Sequence, residues 1–144
     1  MSVAQKSIEE TNREQLLLAL EHDGPQAALE SLDKYYSADF CRHGDKGDYD
    51  KERLREGLRR LYAGFPDLKR VQFDIIAQGD KVAYRWEATG THLGEYLGVR
   101  ATNRPVITRG MVMCRFADGL IVEEWASWNK ASLLHDLGII PLGR

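Results

Sequence analysis

The chain has 144 residues, a formal charge of −2 and a pI near 6.1. This length suits one domain that buries a core without disulfide staples, which we place at residues 7–144 after a polar tail at residues 1–6. The weakly acidic balance argues against a nucleic-acid partner, and no apolar run approaches the ~20 residues of a membrane helix. Since the tail lacks the apolar segment of a signal peptide, the sequence predicts a cytoplasmic protein with no membrane partner.

The first part of the chain carries helical signals. Residues 7–10 read Ser-Ile-Glu-Glu, the form of a capping box, and predict a helix that reaches about Glu21. A second helix is expected after Gly24, because Pro25 suits a first turn and apolar side chains recur at helical spacing as far as Tyr36. We therefore expect two successive helices before the first strand.

A short strand and a third helix follow. The strand carries Phe40 and Cys41, and a polar, glycine-containing loop is predicted over residues 42–48. The helix over about residues 49–63 has the clearest pattern, because leucines recur at i, i+4 and i+7 opposite a face rich in arginine and glutamate. Gly64 then supplies a typical helix end.

From residue 71 onward, apolar and polar side chains alternate as they do in strands. Val82, Tyr84 and Trp86 share one face of a long strand, and a short helix follows the last strand. The strands are predicted at residues 71–75, 82–88, 105–116 and 120–128. Helices followed by a meander indicate an α+β fold in which helices pack on an antiparallel sheet that curls around a pocket.

The sequence contains no motif for a common cofactor. A P-loop, a dinucleotide-binding fingerprint, a nucleophile elbow and a zinc-binding histidine pattern are all missing. The two cysteines, Cys41 and Cys114, lie in apolar strand-like stretches, so we expect buried thiols and no disulfide. The sequence thus predicts no cofactor and no metal, which leaves side-chain chemistry in an apolar cavity or simple ligand binding.

Six short motifs in chain order, covering about the last hundred residues, carry a resemblance to one family. They are Phe40-Cys41-Arg42-His43-Gly44, Ala63-Gly64-Phe65-Pro66-Asp67-Leu68, the run Gly79 to Trp86 with Gly90 to Glu95, Thr102 to Val106, Asp118 to Trp125, and Leu137-Gly138. Together they resemble the SnoaL-like polyketide cyclases and predicted ester cyclases. That family belongs to the nuclear transport factor 2-like superfamily, which also includes the ketosteroid isomerases.

The resemblance implies a cone-shaped fold, usually in a homodimer, and a cofactor-free reaction. Family members close an aromatic polyketide ring by an intramolecular aldol step. A carboxylate removes a proton from the carbon beside an ester, and the new alkoxide is then protonated. The implied substrate is a hydrophobic, carbonyl-bearing small molecule, which the cavity would fold into a reactive conformer.

The sequence departs from this family at the acid-base pair. Alignment places the cyclases' catalytic aspartate at Ala126 and their partner histidine at Val112, and neither side chain can transfer a proton. By the two-residue period of a strand, Glu124 shares the face of Ala126. His43 lies in the first motif and has a side chain suited to proton transfer near neutral pH. We therefore predict Glu124 or His43 as the acid/base, although a surface role for either residue is an alternative interpretation.

The remaining site prediction concerns the pocket wall, for which aromatic side chains would suit a flat, multi-ring ligand. His92 is also consistent with a structural histidine that bonds to nearby backbone. The residues expected to bind substrate are Tyr36, Tyr84, Trp86, His92, Val112, Ala126 and Trp128.

Three functions stay open at this point. The first is cyclisation or isomerisation through an enol or enolate in polyketide or related secondary metabolism. The second is hydroxylation of a polyketide ring, which the resemblance also includes; epoxide hydrolysis is disfavoured because no inward Asp-Arg-Asp arrangement is evident. The third is a binding protein without catalysis. An acidic or imidazole side chain that reaches the cavity would favour the enzymes.

Overall fold

The computed structural model describes residues 6–44 and 46–141, so the predicted tail lies almost wholly outside the described residues. The helices are α1 (Ile8–Leu20), α2 (Gly24–Tyr35), α3 (Lys51–Gly64) and α4 (Lys130–Asp136). The strands are β1 (Tyr36–Gly44), β2 (Gly47–Asp50), β3 (Lys69–Gln78), β4 (Lys81–Thr91), β5 (Pro105–Ala117) and β6 (Leu120–Trp128). Within the described ranges, no helix combines the length and the apolar character that crossing a bilayer requires.

Side-chain caps fix where the helices begin. The Ser7 hydroxyl accepts a hydrogen bond from the Glu10 backbone N–H at 3.2 Å, as the predicted capping box requires. Asn129 caps α4 in the same way. On α1, Leu16, Ala19 and Leu20 pack against the core, whereas Leu17 is exposed.

The loop predicted over residues 42–48 is wrong. Strand β1 continues to Gly44, and the chain turns back as β2 to form an antiparallel hairpin from the Cys41–Asp50 pair to the Gly44–Gly47 pair. Gly47 has a φ of 113°, a left-handed conformation that glycine adopts without strain. The polar residues of this segment predicted a loop. However, β2 lies at the edge of the sheet, where a strand tolerates polar side chains because much of it faces water.

The six strands form one sheet in the order β2-β1-β6-β5-β4-β3. The predicted α+β fold is confirmed, and the sheet is mixed and open at both edges. Strand β1 runs parallel to β6, whereas the other neighbouring strands are antiparallel. A parallel pair requires a long connection, and α3 with four strands supplies it here.

The inner face of the sheet packs against the helices to form the main core. Val82 and Tyr84 of β4 and Val112 and Cys114 of β5 are all buried, as the alternation predicts. A smaller cluster lies at the other end of the sheet and consists of Phe65, Val106, Leu133 and Leu137.

A register shift between β5 and β6 changes which residue of β6 reaches the core. The pairing passes from Arg115–Glu123 to Phe116–Ile121, so Val122 is the extra residue of a bulge. Ile121 is therefore fully buried and Val122 is not. This corrects the simple alternation, which places Val122 on the inner face together with Glu124.

The outer face of the sheet exposes several large apolar side chains. Val71, Ile76 and Met111 are more than half exposed. They lie among charged residues, including the ion pair of Arg109 with Glu87 at 2.9 Å. The homodimer that the resemblance implies stays a prediction.

Candidate functional site

Strand β1 presents neighbouring polar side chains to opposite faces of the sheet. In the parallel pairing with β6, Arg42 lies opposite Glu124 and His43 lies opposite Trp125. Since Glu124 is buried on the core side, Arg42 points inward and His43 points outward. The two predicted acid/base residues are therefore on different faces and do not form one site.

Glu124 forms a buried ion pair with Arg42. The Nη1 atom of Arg42 lies 3.1 Å from Oε1 of Glu124, and the Glu124 side chain is 3% exposed. The thiol of Cys114 donates a weak hydrogen bond to Oε2 at 3.6 Å. Among the residues that the structure describes, Glu124 is the one buried carboxylate. Burial of an ion pair is costly, so its presence here indicates a role beyond simple packing.

Two buried phenols lie in the core beside this pair. Burial raises the pKa of Tyr36, and the negative charge of Glu124 raises it further. Burial also raises the pKa of Tyr84. Both side chains therefore stay protonated at physiological pH and can act only as hydroxyl groups.

A small cleft opens beside the Arg42 end of the ion pair, between the β1–β2 hairpin, the start of α3 and the end of β6. Its volume is about 100 Å³. Arg42, Tyr49, Ala126 and Trp128 line it, together with cationic side chains described below. The Nε atom of Arg42 is buried and has no hydrogen-bond partner among the described residues. The guanidinium therefore has one donor without a partner.

His43 is held on the outer face by two carboxylates. Its Nδ1 lies 2.7 Å from Asp48 Oδ1, and its Nε2 lies 2.6 Å from Glu123 Oε2. Its ring stacks on Trp125 with centroids 5.3 Å apart. The hydrogen bonds to Glu123 and Asp48 raise the pKa of His43, because they favour the imidazolium form. An imidazole with both nitrogens occupied is poorly placed to exchange protons with a substrate.

The same region offers the one arrangement of possible metal ligands found among the described residues. Donor atoms of Cys41, His43 and Asp48 lie within 4.8 Å of one another. A thiolate, an imidazole and a carboxylate suit zinc. In the present geometry the imidazole is already bonded to Asp48, and a metal would have to displace that contact.

The seven predicted substrate-binding residues lie in several parts of the structure. Tyr36, Tyr84 and Val112 lie in the main core beside the ion pair. Ala126 and Trp128 line the cleft. Trp86 borders a shallow depression of about 570 Å³, which Trp128 shares. Most of the residues predicted to form the pocket wall therefore lie in this region. Tyr36, Tyr84 and Val112, however, are packed in the core and do not border the open cleft.

His92 belongs to a different environment. It is fully buried near Phe65, with ring centroids 5.4 Å apart. The Thr102 backbone N–H donates to its Nδ1 at 3.2 Å. This contact matches the structural alternative for His92, and the residue lies in the part of the core that Phe65 occupies rather than beside the Arg42–Glu124 pair.

Sequence reasoning missed Arg42 and the other cations of the cleft. Arg42 stood in a segment predicted as a loop, where an arginine usually faces water. The one usable signal was its place in the first matching motif, two residues after Phe40. Phe40 is buried in the core, so the two-residue period would have sent Arg42 inward as well.

Several solved structures share the fold of this protein. AclR from Streptomyces galilaeus, described as a candidate hydroxylase, is 28% identical, covers 92% of this chain and 99% of its own, and superposes with a TM-score of 0.85. IdmH from Streptomyces antibioticus, described as a candidate polyketide cyclase, is also 28% identical over 92% and 99% of the two chains, with a TM-score of 0.72.

A third structure shares the fold at lower identity. It comes from Jannaschia sp. CCS1, is described as a candidate SnoaL-like polyketide cyclase, and is 19% identical over 97% and 100% of the chains, with a TM-score of 0.84. No protein of curated function matches the sequence at the required significance. The family model for SnoaL-like polyketide cyclases matches residues 19–137, so this chain belongs to the SnoaL-like polyketide cyclase family.

Proposed function

We propose that this protein is a cofactor-independent enzyme of polyketide or related secondary metabolism. It would catalyse an acid/base cyclisation of the intramolecular aldol type, or an isomerisation, on a hydrophobic, carbonyl-bearing small molecule. One observation supports this proposal above the others. A buried carboxylate, Glu124, lies two residues before Ala126 on the same strand and contacts Arg42, which lines the cleft.

Arg42 is suited to hold the reacting carbonyl. Because Arg42 lines the cleft, its guanidinium can donate a hydrogen bond to the carbonyl oxygen of a substrate there. When the neighbouring carbon loses a proton, negative charge moves onto that oxygen and strengthens the contact with the guanidinium. A fixed positive charge aimed at a developing oxyanion is an efficient form of transition-state stabilisation.

Glu124 is suited to move the proton. Its Oε1 is engaged by Arg42, whereas its Oε2 has only the weak thiol donor of Cys114. In the proposed reaction Oε2 takes the proton, the enolate carbon attacks a second carbonyl, and the new alkoxide recovers the proton from Glu124. No net oxidation occurs, and the carboxylate is regenerated. Contact between the substrate oxygen and Arg42 would weaken the ion pair of Arg42 with Glu124.

The proposal is tested by product analysis on aromatic diketo acids and their methyl esters, without added cofactor. The variant Glu124→Gln keeps the shape of the side chain but cannot accept the proton. We expect turnover to fall at least ~100-fold, the range of general acid-base catalysis, while ligand binding persists. The matched control is Glu123→Gln on the outer face, which should keep full turnover. Equal activity of the wild type and Glu124→Gln would contradict the proposal, and binding without conversion would indicate a carrier.

Hydroxylation is the second candidate, because AclR is 28% identical over nearly the whole chain and is described as a candidate hydroxylase. Insertion of one oxygen atom into a ring needs dioxygen and two electrons from a reductant such as reduced flavin. Repeating the assay with reduced flavin and air separates the candidates. A product heavier by one oxygen atom would favour the hydroxylase, whereas an isomer of the substrate would favour the cyclase.

A further inference from the structure

The cleft beside Arg42 is strongly cationic. Ten described residues line it, and four of them carry positive charge at neutral pH: Arg42, Lys46, Arg53 and Lys130. None of these ten residues is acidic. For a protein with a net charge of −2, such a local excess is unusual and attracts anions.

Three of these cations lack a counter-ion within the described ranges. Arg42 is paired with Glu124, but Lys46, Arg53 and Lys130 form no ion pair with a described carboxylate. Helix α3 provides a direct contrast. On that helix the guanidinium groups of Arg55, Arg59 and Arg60 each lie within 4 Å of a carboxylate, whereas that of Arg53, beside the cleft, forms no ion pair with a described carboxylate. On α3, the arginine without an ion pair is therefore the one that lines the cleft.

An aromatic side chain holds two guanidinium groups in place. The ring of Tyr49 lies 5.7 Å from the Arg42 guanidinium carbon and 5.3 Å from that of Arg53. Cation–π contacts of this kind restrict both groups before any ligand arrives. Arg42 is largely covered, with a side chain 19% exposed, whereas Arg53 and Lys130 are exposed. The cleft therefore has an inner cation next to Glu124 and outer cations at its rim.

The volume of the cleft limits what it can take. About 100 Å³ is roughly three times the share of one molecule in liquid water. This room suits a planar carboxylate together with the edge of a ring, and the rings of Tyr49 and Trp128 provide apolar contact for that edge. Arginine prefers planar oxyanions because its donors match both carboxylate oxygens.

We infer that the rim of this cleft binds a carboxylate, so that the substrate is a ring-bearing free acid rather than a neutral ester. Arg53, Lys130 and Lys46 would anchor the carboxylate, and the reacting carbonyl would lie further in, at Arg42. The substrate part of this inference rests on the function proposed above. It names the chemical class of the substrate, a free carboxylic acid, and distinguishes this protein from relatives that act on esters.

The test uses two planar ligands of the same shape, 2-naphthoate and the neutral 2-naphthamide, with inorganic phosphate as a third ligand. Binding is measured by titration calorimetry on the wild type, Arg53→Gln, Lys130→Gln and the double variant. The matched control is Arg60→Gln, which removes an equal charge from α3 at a position 75% exposed and paired with Glu56.

We expect the wild type to bind naphthoate about tenfold more tightly than naphthamide. Each cleft variant should weaken naphthoate binding roughly two- to fivefold, as loss of one partly exposed ionic contact does, and the double variant about tenfold. Naphthamide binding should stay unchanged, and Arg60→Gln should leave both affinities unchanged. Equal affinity for the two naphthalene compounds, no binding of either, or phosphate binding as tight as naphthoate would each overturn the inference.

This outcome is independent of the test for catalysis. If methyl esters are converted in a reaction that depends on Glu124 while naphthoate shows no preference, the acid/base function stands and the carboxylate site is wrong. If naphthoate binds as expected but the Glu124→Gln variant loses no turnover, the carboxylate site stands and the acid/base assignment is wrong.

Discussion

The buried ion pair makes a quantitative prediction about stability. The change Arg42→Met removes the cation and leaves Glu124, which is 3% exposed, with the Cys114 thiol at 3.6 Å. Removing one member of a buried pair costs about 3–5 kcal/mol. Because the Arg42 side chain is 19% exposed, water can reach part of the gap, and we expect the lower end, about 3 kcal/mol.

The measurement is urea unfolding monitored by circular dichroism. With a slope of about 1–3 kcal/mol per molar urea, a loss of about 3 kcal/mol lowers the midpoint by roughly 1–3 M. Arg109→Met is the matched control, because its partner Glu87 and Arg109 itself are both solvent-exposed, and we expect a loss below ~1 kcal/mol.

A double variant separates the ion pair from the packing of the arginine stem. In Arg42→Met/Glu124→Gln the buried charge is gone, so the total loss should be smaller than the sum of the two single losses by about 1–3 kcal/mol. If Arg42→Met lowers the free energy of unfolding no more than Arg109→Met does, the buried pair does not stabilise the fold as we expect. The same conclusion follows if the losses of the two single variants simply add.

Two further predictions concern other parts of the sheet. The two carboxylate contacts raise the pKa of His43 above its value in the unfolded chain. The stability that these contacts add is therefore complete below about pH 6.5 and is lost as the pH rises through the folded-state pKa. Between pH 6 and 9 the urea midpoint should therefore fall more in the wild type than in His43→Gln, and parallel curves would contradict this. A methyl group at Gly110 would lie 2.6 Å from Trp86 and 2.7 Å from the Ser127 carbonyl, so Gly110→Ala should cost about 1–3 kcal/mol and shift the tryptophan emission. The control Gly57→Ala meets no atom within 4 Å on an exposed helix and should be neutral or stabilising; similar losses in both variants would refute the steric argument.

Much of the fold follows from the sequence because its signals are local. Periodic leucines identify α3, and alternation identifies β4 and β5 together with the inward direction of Tyr84 and Val112. The same rule places Glu124 on the buried face, as the structure shows.

The parts that sequence reasoning did not find depend on pairing between distant segments. Arg42 was not recognised because residues 42–48 were predicted as a loop, and its pairing with Glu124 depends on the register of β1 against β6. The bulge at Val122 likewise depends on how β6 meets β5. The cationic cleft combines residues from β1, α3 and α4, so no single stretch of sequence contains it.

The parallel pairing of β1 with β6 also sets an order for folding. Residues 36–44 leave the ribosome long before their partner at residues 120–128, so β1 has no neighbour except β2 during most of synthesis. The hairpins β3–β4 and β4–β5 connect adjacent segments and can form earlier, since short loops close at low entropic cost. Arg42 then meets Glu124 only when the last strand docks, which makes closure of the candidate site a late step of folding. Pulse-labelled hydrogen exchange should show the amides that bond β1 to β6 gaining protection after those of β4; early protection of these amides would argue against this order.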